Sequence, residues 1–353
     1  MPERRYVDAL VADLEQELPR VWGRAVSSIF IGGGTPSLFS PEAIDRLLQA
    51  IRARLPLIAD IEITMEANPG SVEQARFAEF FSAGINRLSI GIQSFETDLL
   101  QRLGRIHNGE DAHHAIDVAM QAGFNNVNLD LMFGLPSQSL ERLSRDVKTA
   151  VGYDPAHISF YQLTLEPNTA FHVNPPTDLP VDENSWSMQI KGRDLLQNAG
   201  YYQYEVSAFS QAGRQCRHNR NYWEFGDYIG IGAGAHGKCT DMATGRIHRS
   251  SKVRQPARYM DAALDGSSIS DKQSPNHREL LFEFMLNGLR LIDGFPEFLF
   301  TQRTGLDWSV AEPSIQGFID DGLLEKKSAN IRPTDLGLQF LNDMLIHFLP
   351  DET

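Results

Sequence analysis

Two groups of residues stand out for the chemistry they can carry. The first is a set of polar side chains that end otherwise apolar runs: Thr35, Glu66, Gln93, Asp130, Thr164 and Glu205. If those runs are parallel strands, their ends share one rim, where binding and catalysis are usually found. Polar residues also mark where strands become loops, but Glu66 and Asp130 would be partly buried, which strengthens the set. Beside it, Gly32-Gly33-Gly34-Thr35-Pro36 presents bare backbone directly after an apolar run. A ligand can approach its main-chain N–H and C=O groups closely. The second group is Cys216-Arg217-His218-Asn219-Arg220-Asn221-Tyr222-Trp223. A histidine beside flat aromatic rings can ligate haem iron while the rings stack on the macrocycle. The competing reading is a surface loop that Tyr222 and Trp223 anchor in the core.

Other apparent motifs fall away on their context. Gly232-Ala233-Gly234-Ala235-His236-Gly237 matches G-x-G-x-x-G, but no amphipathic helix follows it. Extended to Lys238 it nearly matches a P-loop, yet the next residue is Cys239, which lacks the hydroxyl that holds Mg²⁺. Two cysteines and ten scattered histidines make no zinc spacing. His113 and His114 fall on a helix and read as a solvated or cap-side pair.

Composition narrows the function classes. A net charge of −14 over 353 residues disfavours a protein whose main partner is a phosphate backbone. No apolar run reaches the ~20 residues needed to span a bilayer, and the first residues lack the apolar core of a secretory signal. Two cysteines build no disulfide framework, so a cytoplasmic location is expected, membrane-associated at most.

The elements that must position these residues follow a rhythm. Val7, Leu10, Val11, Leu14 and Leu18 recur at helical spacing. A strand at 28–31 follows, and Ser40 then Pro41 read as the cap and first residue of a helix. Strands are expected near 61–66, 87–93, 126–131, 158–163 and 202–206. Helices are expected between them, near 72–83, 112–122, 140–151 and 186–199. Three helices stop alike, at Ala83-Gly84-Ile85, Ala122-Gly123-Phe124 and Ala199-Gly200-Tyr201. Glycine past the last turn accepts a left-handed conformation, and the apolar residue after it packs back on the helix. The alternation predicts a parallel sheet flanked by helices, either doubly wound or barrel-like. The series starts on a helix, as though a first strand and loop were missing. Residues 238–275 read as an irregular connection. A helix near 278–291, a short hairpin and a final amphipathic helix make a winged-helix-like C-terminal domain. The expected division is 1–237, 238–275 and 276–353.

Taken together, these motifs resemble the radical S-adenosylmethionine (SAM) family in its coproporphyrinogen-oxidase-like branch. The likeness is carried by IFIGGGTPS at 29–37, IEITMEANPG at 61–70, RLSIGIQSF at 87–95, NLDLMFGLP at 128–136 and YYQYEVSAF at 201–209. Within that branch, RHNRNYWE at 217–224 resembles the HNxxYW motif of the HemW-type haem chaperones. The resemblance covers nearly the whole chain. It implies a partial (β/α)6 TIM-like barrel and a HemN-type C-terminal domain near 276–345, with SAM across the strand ends. Gly33 would contact SAM, with Gly34 and Thr35 beside it, and Glu66 would hold its ribose or amino group. Gln93, Arg105, Asp130 and Thr164 match positions that line SAM sites. His218 matches the haem-associated histidine and is the expected iron ligand, with Tyr222 and Trp223 covering the macrocycle and Cys216 competing for the metal.

The expected function is that of a haem chaperone passing haem to an acceptor, a membrane respiratory protein, with a homodimer as an admissible assembly and no nucleic acid. The alternatives are a coproporphyrinogen III oxidase-like enzyme and a winged-helix nucleic-acid binder. His218-Asn219 with Tyr222-Trp223 argues against the first, and the charge argues against the second. The family carries C-x₃-C-x₂-C, whose three thiolates bind a [4Fe–4S] cluster. Cys216 and Cys239, 23 positions apart, cannot replace that triad. Anaerobic reconstitution of these 353 residues with iron and sulfide is therefore expected to give no stoichiometric cluster spectrum. About four irons per chain, with a cluster EPR signal after reduction, would overturn this.

Overall fold

A computed structural model describes residues 2–167 and 170–350. Two compact units are formed, and they interleave along the chain. One is Ser28–Asp45 with Ile61–Cys216, and the other is Met1–Ser27, Arg46–Asp60 and Arg217–Thr353.

The first unit is built on a seven-stranded sheet. Its strands are β1 (Val26–Ile31), β2 (Leu57–Ala67), β3 (Arg87–Gln93), β4 (Val127–Phe133), β5 (His157–Gln162), β6 (Tyr202–Glu205) and β7 (Ala208–Ser210). They lie in the order β1-β2-β3-β4-β5-β7-β6, an open, curled half-barrel. β2 to β5 pair in parallel. The helices Gly109–Gln121, Leu140–Gly152 and Asp182–Asn198 connect successive strands, as the expected βα rhythm requires. One expectation is corrected here. The strand at 202–206 does not pair directly with β5; β7 lies between them, antiparallel to both. Chain reversal over the two residues between β6 and β7 makes a hairpin, which only antiparallel strands allow.

The three glycine stops share one geometry. Gly84, Gly123 and Gly200 have φ of 107°, 99° and 87°, a region that costs glycine little. In each, the following N–H reaches back to the first carbonyl of the motif: Ile85 to Phe80, Phe124 to Ala119 and Tyr201 to Leu196. Ile85, Phe124 and Tyr201 are buried, so each stop also pins the next strand to the helix before it. Ser40 caps the helix Pro41–Arg52 as expected, its Oγ accepting from Ala43 N–H.

In the second unit, residues 238–275 are ordered, not irregular. β8 (His236–Thr240), β9 (Ile247–Lys252) and β10 (Ile269–Gln273) form an antiparallel sheet, and the helix Pro256–Asp265 links its last two strands. Polar residues such as Ser250 and Ser251 disguise these strands because the sheet leaves them half-exposed. The helix Glu3–Val21 is fastened to this region by a buried ion network. Lys252, 1% exposed, donates to Asp13 and Glu17 at 2.7 Å each. Asp13 also accepts from Ser268 Oγ at 2.7 Å and Tyr259 OH at 2.8 Å. The glycine-rich segment at 232–237 belongs to this network: Gly232 N–H donates to Tyr259 and Ala233 N–H to Tyr6. Those two N–H donors are thus engaged within the protein.

The C-terminal part adds β11 (Phe295–Pro296), β12 (Leu324–Lys327) and β13 (Asn330–Pro333) in one antiparallel sheet. The helices His277–Gly288, Glu297–Thr304 and Glu312–Asp320 precede the β12–β13 hairpin, as a winged-helix-like domain expects. Phe284 packs edge-on against Phe295 and Phe300 at 4.9 and 5.1 Å. Among the described residues, no helix is long and apolar enough to cross a membrane.

Removing the cation of a buried network strands its carboxylates. Lys252→Met is expected to cost about 3–5 kcal/mol in chemical denaturation. A cost within about 1 kcal/mol of zero would show that the network is not what fastens the first helix.

Candidate functional site

Strand alternation decides which side chains share a face. In β3, Leu88, Ile90 and Ile92 are buried on one face, and Arg87, Ser89, Gly91 and Gln93 occupy the other. β4 and β5 repeat this: Leu129, Leu131, Ile158 and Phe160 against Asn128, Asp130, His157, Ser159 and Tyr161. The parallel register then aligns Glu66 with Ser89, Ser89 with Asn128, Asn128 with His157 and Asp130 with Ser159. The sheet thus carries one apolar face and one polar face.

The polar face is a hydrogen-bonded network. Asn128 donates from Nδ2 to Asp130 at 2.8 Å and to Ser89 Oγ at 2.7 Å. Its Oδ1 accepts from Ser159 Oγ at 3.1 Å and pairs with His157 Nδ1 at 2.6 Å. The other nitrogen of His157 meets Tyr204 OH at 2.9 Å. Asp130 is thereby oriented by a chain of hydrogen-bonded groups. Burial pushes its carboxyl above the usual carboxylate range, while Asn128, Ser159 and Ser89 hydrogen bonds and the Arg87 charge work the other way.

Glu66 stands at the end of β2 and accepts from Gly33 N–H at 3.0 Å. Burial also raises its pKa, the Gly33 N–H opposes this, and the nearby Asp130 charge adds to it. Gly33 and Gly34 have φ of 81° and 60° with open space around them, a loop shape that bare glycine permits and a side chain strains. Thr35 follows, directly before the short turn Pro36–Leu38. Gln93 closes β3 and accepts from Tyr161 OH at 2.9 Å. Burial raises the pKa of Tyr161, which feels the charges of Asp130, Arg105 and Glu66 and the Gln93 hydrogen bond.

Gly33 and Glu66 are thus bonded to each other, as are Gln93 and Tyr161, and the charges of Glu66, Asp130 and Arg105 all reach Tyr161. Thr164 is exposed just after β5, its hydroxyl turned onto Gln162 O. Glu205 is buried in β6, where it accepts from Ser207. Sequence reasoning missed Tyr161 and Asn128, although both sit at alternate positions from Ser159 and Asp130, the one signal that marks the polar face.

In the second unit, Arg217–Trp223 is a helix, not a loop. His218 is buried. Tyr222 meets Tyr228 edge-on at 4.7 Å, and the Arg290 guanidinium lies 4.4 Å from the Trp223 ring centre. The Trp223 indole N–H is buried without an acceptor, an unmet donor beside a cation. Cys216 is fully buried in the first unit and donates to Glu62 at 3.7 Å.

The raised pKa of Asp130 has a defined sign for stability. A carboxyl with a higher pKa folded than unfolded favours folding below its unfolded pKa, and that contribution is lost as pH rises through the folded value. Asp130→Asn is therefore expected to gain stability relative to the parent in urea titrations as pH rises above the ordinary carboxylate range. Parallel pH dependences of the two proteins would refute the buried-charge account.

The sequence model of the Radical SAM superfamily matches residues 2–150, and that of the HemN C-terminal domain matches 276–340. The heme chaperone HemW of Escherichia coli (strain K12) is 46% identical over 99% of this chain and 91% of its own length. HemW of Bacillus subtilis (strain 168) is 32% identical over 99% of this chain and 92% of its own. The mitochondrial radical S-adenosyl methionine domain-containing protein 1 of Mus musculus is 36% identical over 92% of this chain and 76% of its own. The solved coproporphyrinogen III oxidase HemN of Escherichia coli shares the fold, with a TM-score of 0.79 over 98% of this chain and 83% of that one at 21% identity. On this near-full-length identity, the chain belongs to the HemW family of the radical SAM superfamily.

Proposed function

We propose that this chain is a haem chaperone: it binds haem and passes it to an acceptor protein. The observation that carries the reading is the near-full-length likeness to curated haem chaperones. The oxidase alternative has only a fold-level likeness behind it. The acceptor is a membrane respiratory protein in this reading, and the chaperone works from the cytoplasmic side, as a monomer or a homodimer.

Haem is the cargo, and the helix Arg217–Trp223 is its receptor. Neutral imidazole is a good axial ligand, so His218 takes the iron, with Cys216 its competitor. Tyr222 and Trp223 supply aromatic cover, and the unmet Trp223 N–H with the Arg290 cation offers donors to an anionic group. His218 is only 9% exposed, so loading requires a displacement of this helix.

The donor set at the strand ends fits SAM. Glu66 and Asp130 are carboxylates for its cationic and hydroxyl groups, Gly33, Gly34 and Thr35 border the methionine part, and Gln93, Arg105 and Thr164 line the rest. Tyr161 orients Gln93, and Asn128 orients Asp130. SAM in this family supplies radical chemistry when it is joined to a [4Fe–4S] cluster. The two cysteines of these 353 residues do not fit that cluster.

The haem assignment is tested by titration. A folded His218→Ala protein is expected to bind haem more weakly, or to show a shifted Soret band, relative to the parent. An unchanged titration removes His218 from the site. No saturable haem binding by the folded parent removes the chaperone reading.

A further inference from the structure

Gln93 is held in a conformation it would not choose. Its φ is 67°, and the Ser94 N–H reaches across it to Ile92 O at 2.9 Å. That closes a γ-turn with a positive central φ, a strained turn for any residue with a side chain. The β3–β4 register slips at the same place: Ile90 faces Leu129, and Gln93, not Ile92, faces Leu131. The turn re-aims the carboxamide at the end of the strand, and something must hold it there.

The holder lies behind the sheet, on the helix Leu140–Gly152. Asp146, 2% exposed, accepts from Ser94 Oγ at 2.7 Å with one oxygen and from Phe95 N–H at 2.8 Å with the other. Ser94 Oγ in turn accepts from Glu96 N–H at 3.1 Å. On the far side of the turn, His107 Nε2 lies 3.1 Å from Ile92 O. In front, Tyr161 holds the Gln93 carbonyl end. The neighbouring arginines are spent elsewhere: Arg142 pairs with Glu96 and Asp98, and Arg145 with Glu96. Asp146 therefore meets neutral donors, with the Glu96 charge against it and the Arg142 charge for it. Its carboxyl is pushed up to about 6, chiefly by burial. An asparagine there would avoid the buried charge but could accept with one atom only, leaving Ser94 or Phe95 facing an amide N–H₂. The two-oxygen acceptor is what the turn requires.

We propose that Asp146 is a positioning residue of the SAM site, acting through Gln93 by clamping the two residues that follow it. The inference rests on the SAM-site reading above and goes beyond it to a residue that touches no ligand.

The test is a double-mutant cycle read by equilibrium dialysis of SAM itself. Asp146→Asn is expected to weaken SAM binding about fivefold or more in the parent, and less than about twofold in a Gln93→Ala background. Melting curves and haem titrations of each protein report whether the fold is kept. A merely structural role would weaken SAM binding equally in both backgrounds, and that result, or no effect in the parent, overturns the proposal. If Asp146→Asn does not fold, Ser94→Ala removes one of the two clamped groups and is expected to show the same dependence on Gln93, with an equal effect in both backgrounds overturning the proposal. Absence of SAM binding by the parent is seen before any Asp146 variant is made, and it refutes the site reading and this inference with it.

Discussion

Parallel pairing imposes a constraint that runs through the first unit: residues at the same register on neighbouring strands must share a face. Because β2, β3, β4 and β5 keep this register, Glu66, Ser89, Asn128 and His157 form one row across the sheet, and Asp130 and Ser159 begin the next. No single strand could assemble such a row. Helices cover the opposite face, so Leu88, Ile90, Ile92, Leu129 and Ile158 are fully buried there. Each contributes about 1.5–3 kcal/mol. The apolar face stabilises the sheet, and the polar face is thereby free to hold groups that oppose folding.

Those groups are kept by satisfying them. Asp130 and Glu66 both lose hydration, and both have raised pKa values as a result. Asn128 limits the cost by donating to Asp130 while accepting from Ser159. His157 and Tyr204 in turn fix the Asn128 amide, so a chain of hydrogen bonds sets the direction in which a carboxylate points. Buried networks of this kind specify geometry when every member is satisfied and destabilise when one is lost. In the second unit the same logic appears with charges, where Lys252 between Asp13 and Glu17 joins elements distant in sequence.

Much of this was legible in the residues. The βα rhythm and the three glycine stops gave the sheet and its helices, because the signals are local and each stop needs one residue with positive φ. The strand-end set anticipated Glu66, Gln93 and Asp130 with the glycine-rich loop. What escaped has physical reasons. Short strands rich in serine, β9 above all, hide when neither face is fully buried, so 238–275 read as irregular. β7 is three residues long and carries no pattern of its own, so the antiparallel pairing at this edge of the sheet was not read. Arg217–Trp223 alternates no apolar stripe, and it read as a loop although its polar residues lie on a helix. Ser94 and Asp146 are 52 positions apart, and nothing local marks the aspartate as other than a helix-surface acid.

The strained turn at Gln93 shows why the missed residues matter as much as those anticipated. A strand that simply ended would leave its last side chain alternating with the pleat, and Ile92 would occupy the place opposite Leu131. Inserting one residue moves the pairing to Gln93 and slips the register at the end of the strand. Such a conformation persists only if its surroundings over-determine it. Here three elements do so: the helix Leu140–Gly152 through Asp146, the residue His107 through Ile92, and β5 through Tyr161. The orientation of Gln93 is thus set by groups on other elements, and those elements fold by local rules. An arrangement assembled this way forms only when the whole sheet and its outer helix are in place, which couples the geometry of the rim to the integrity of the unit behind it.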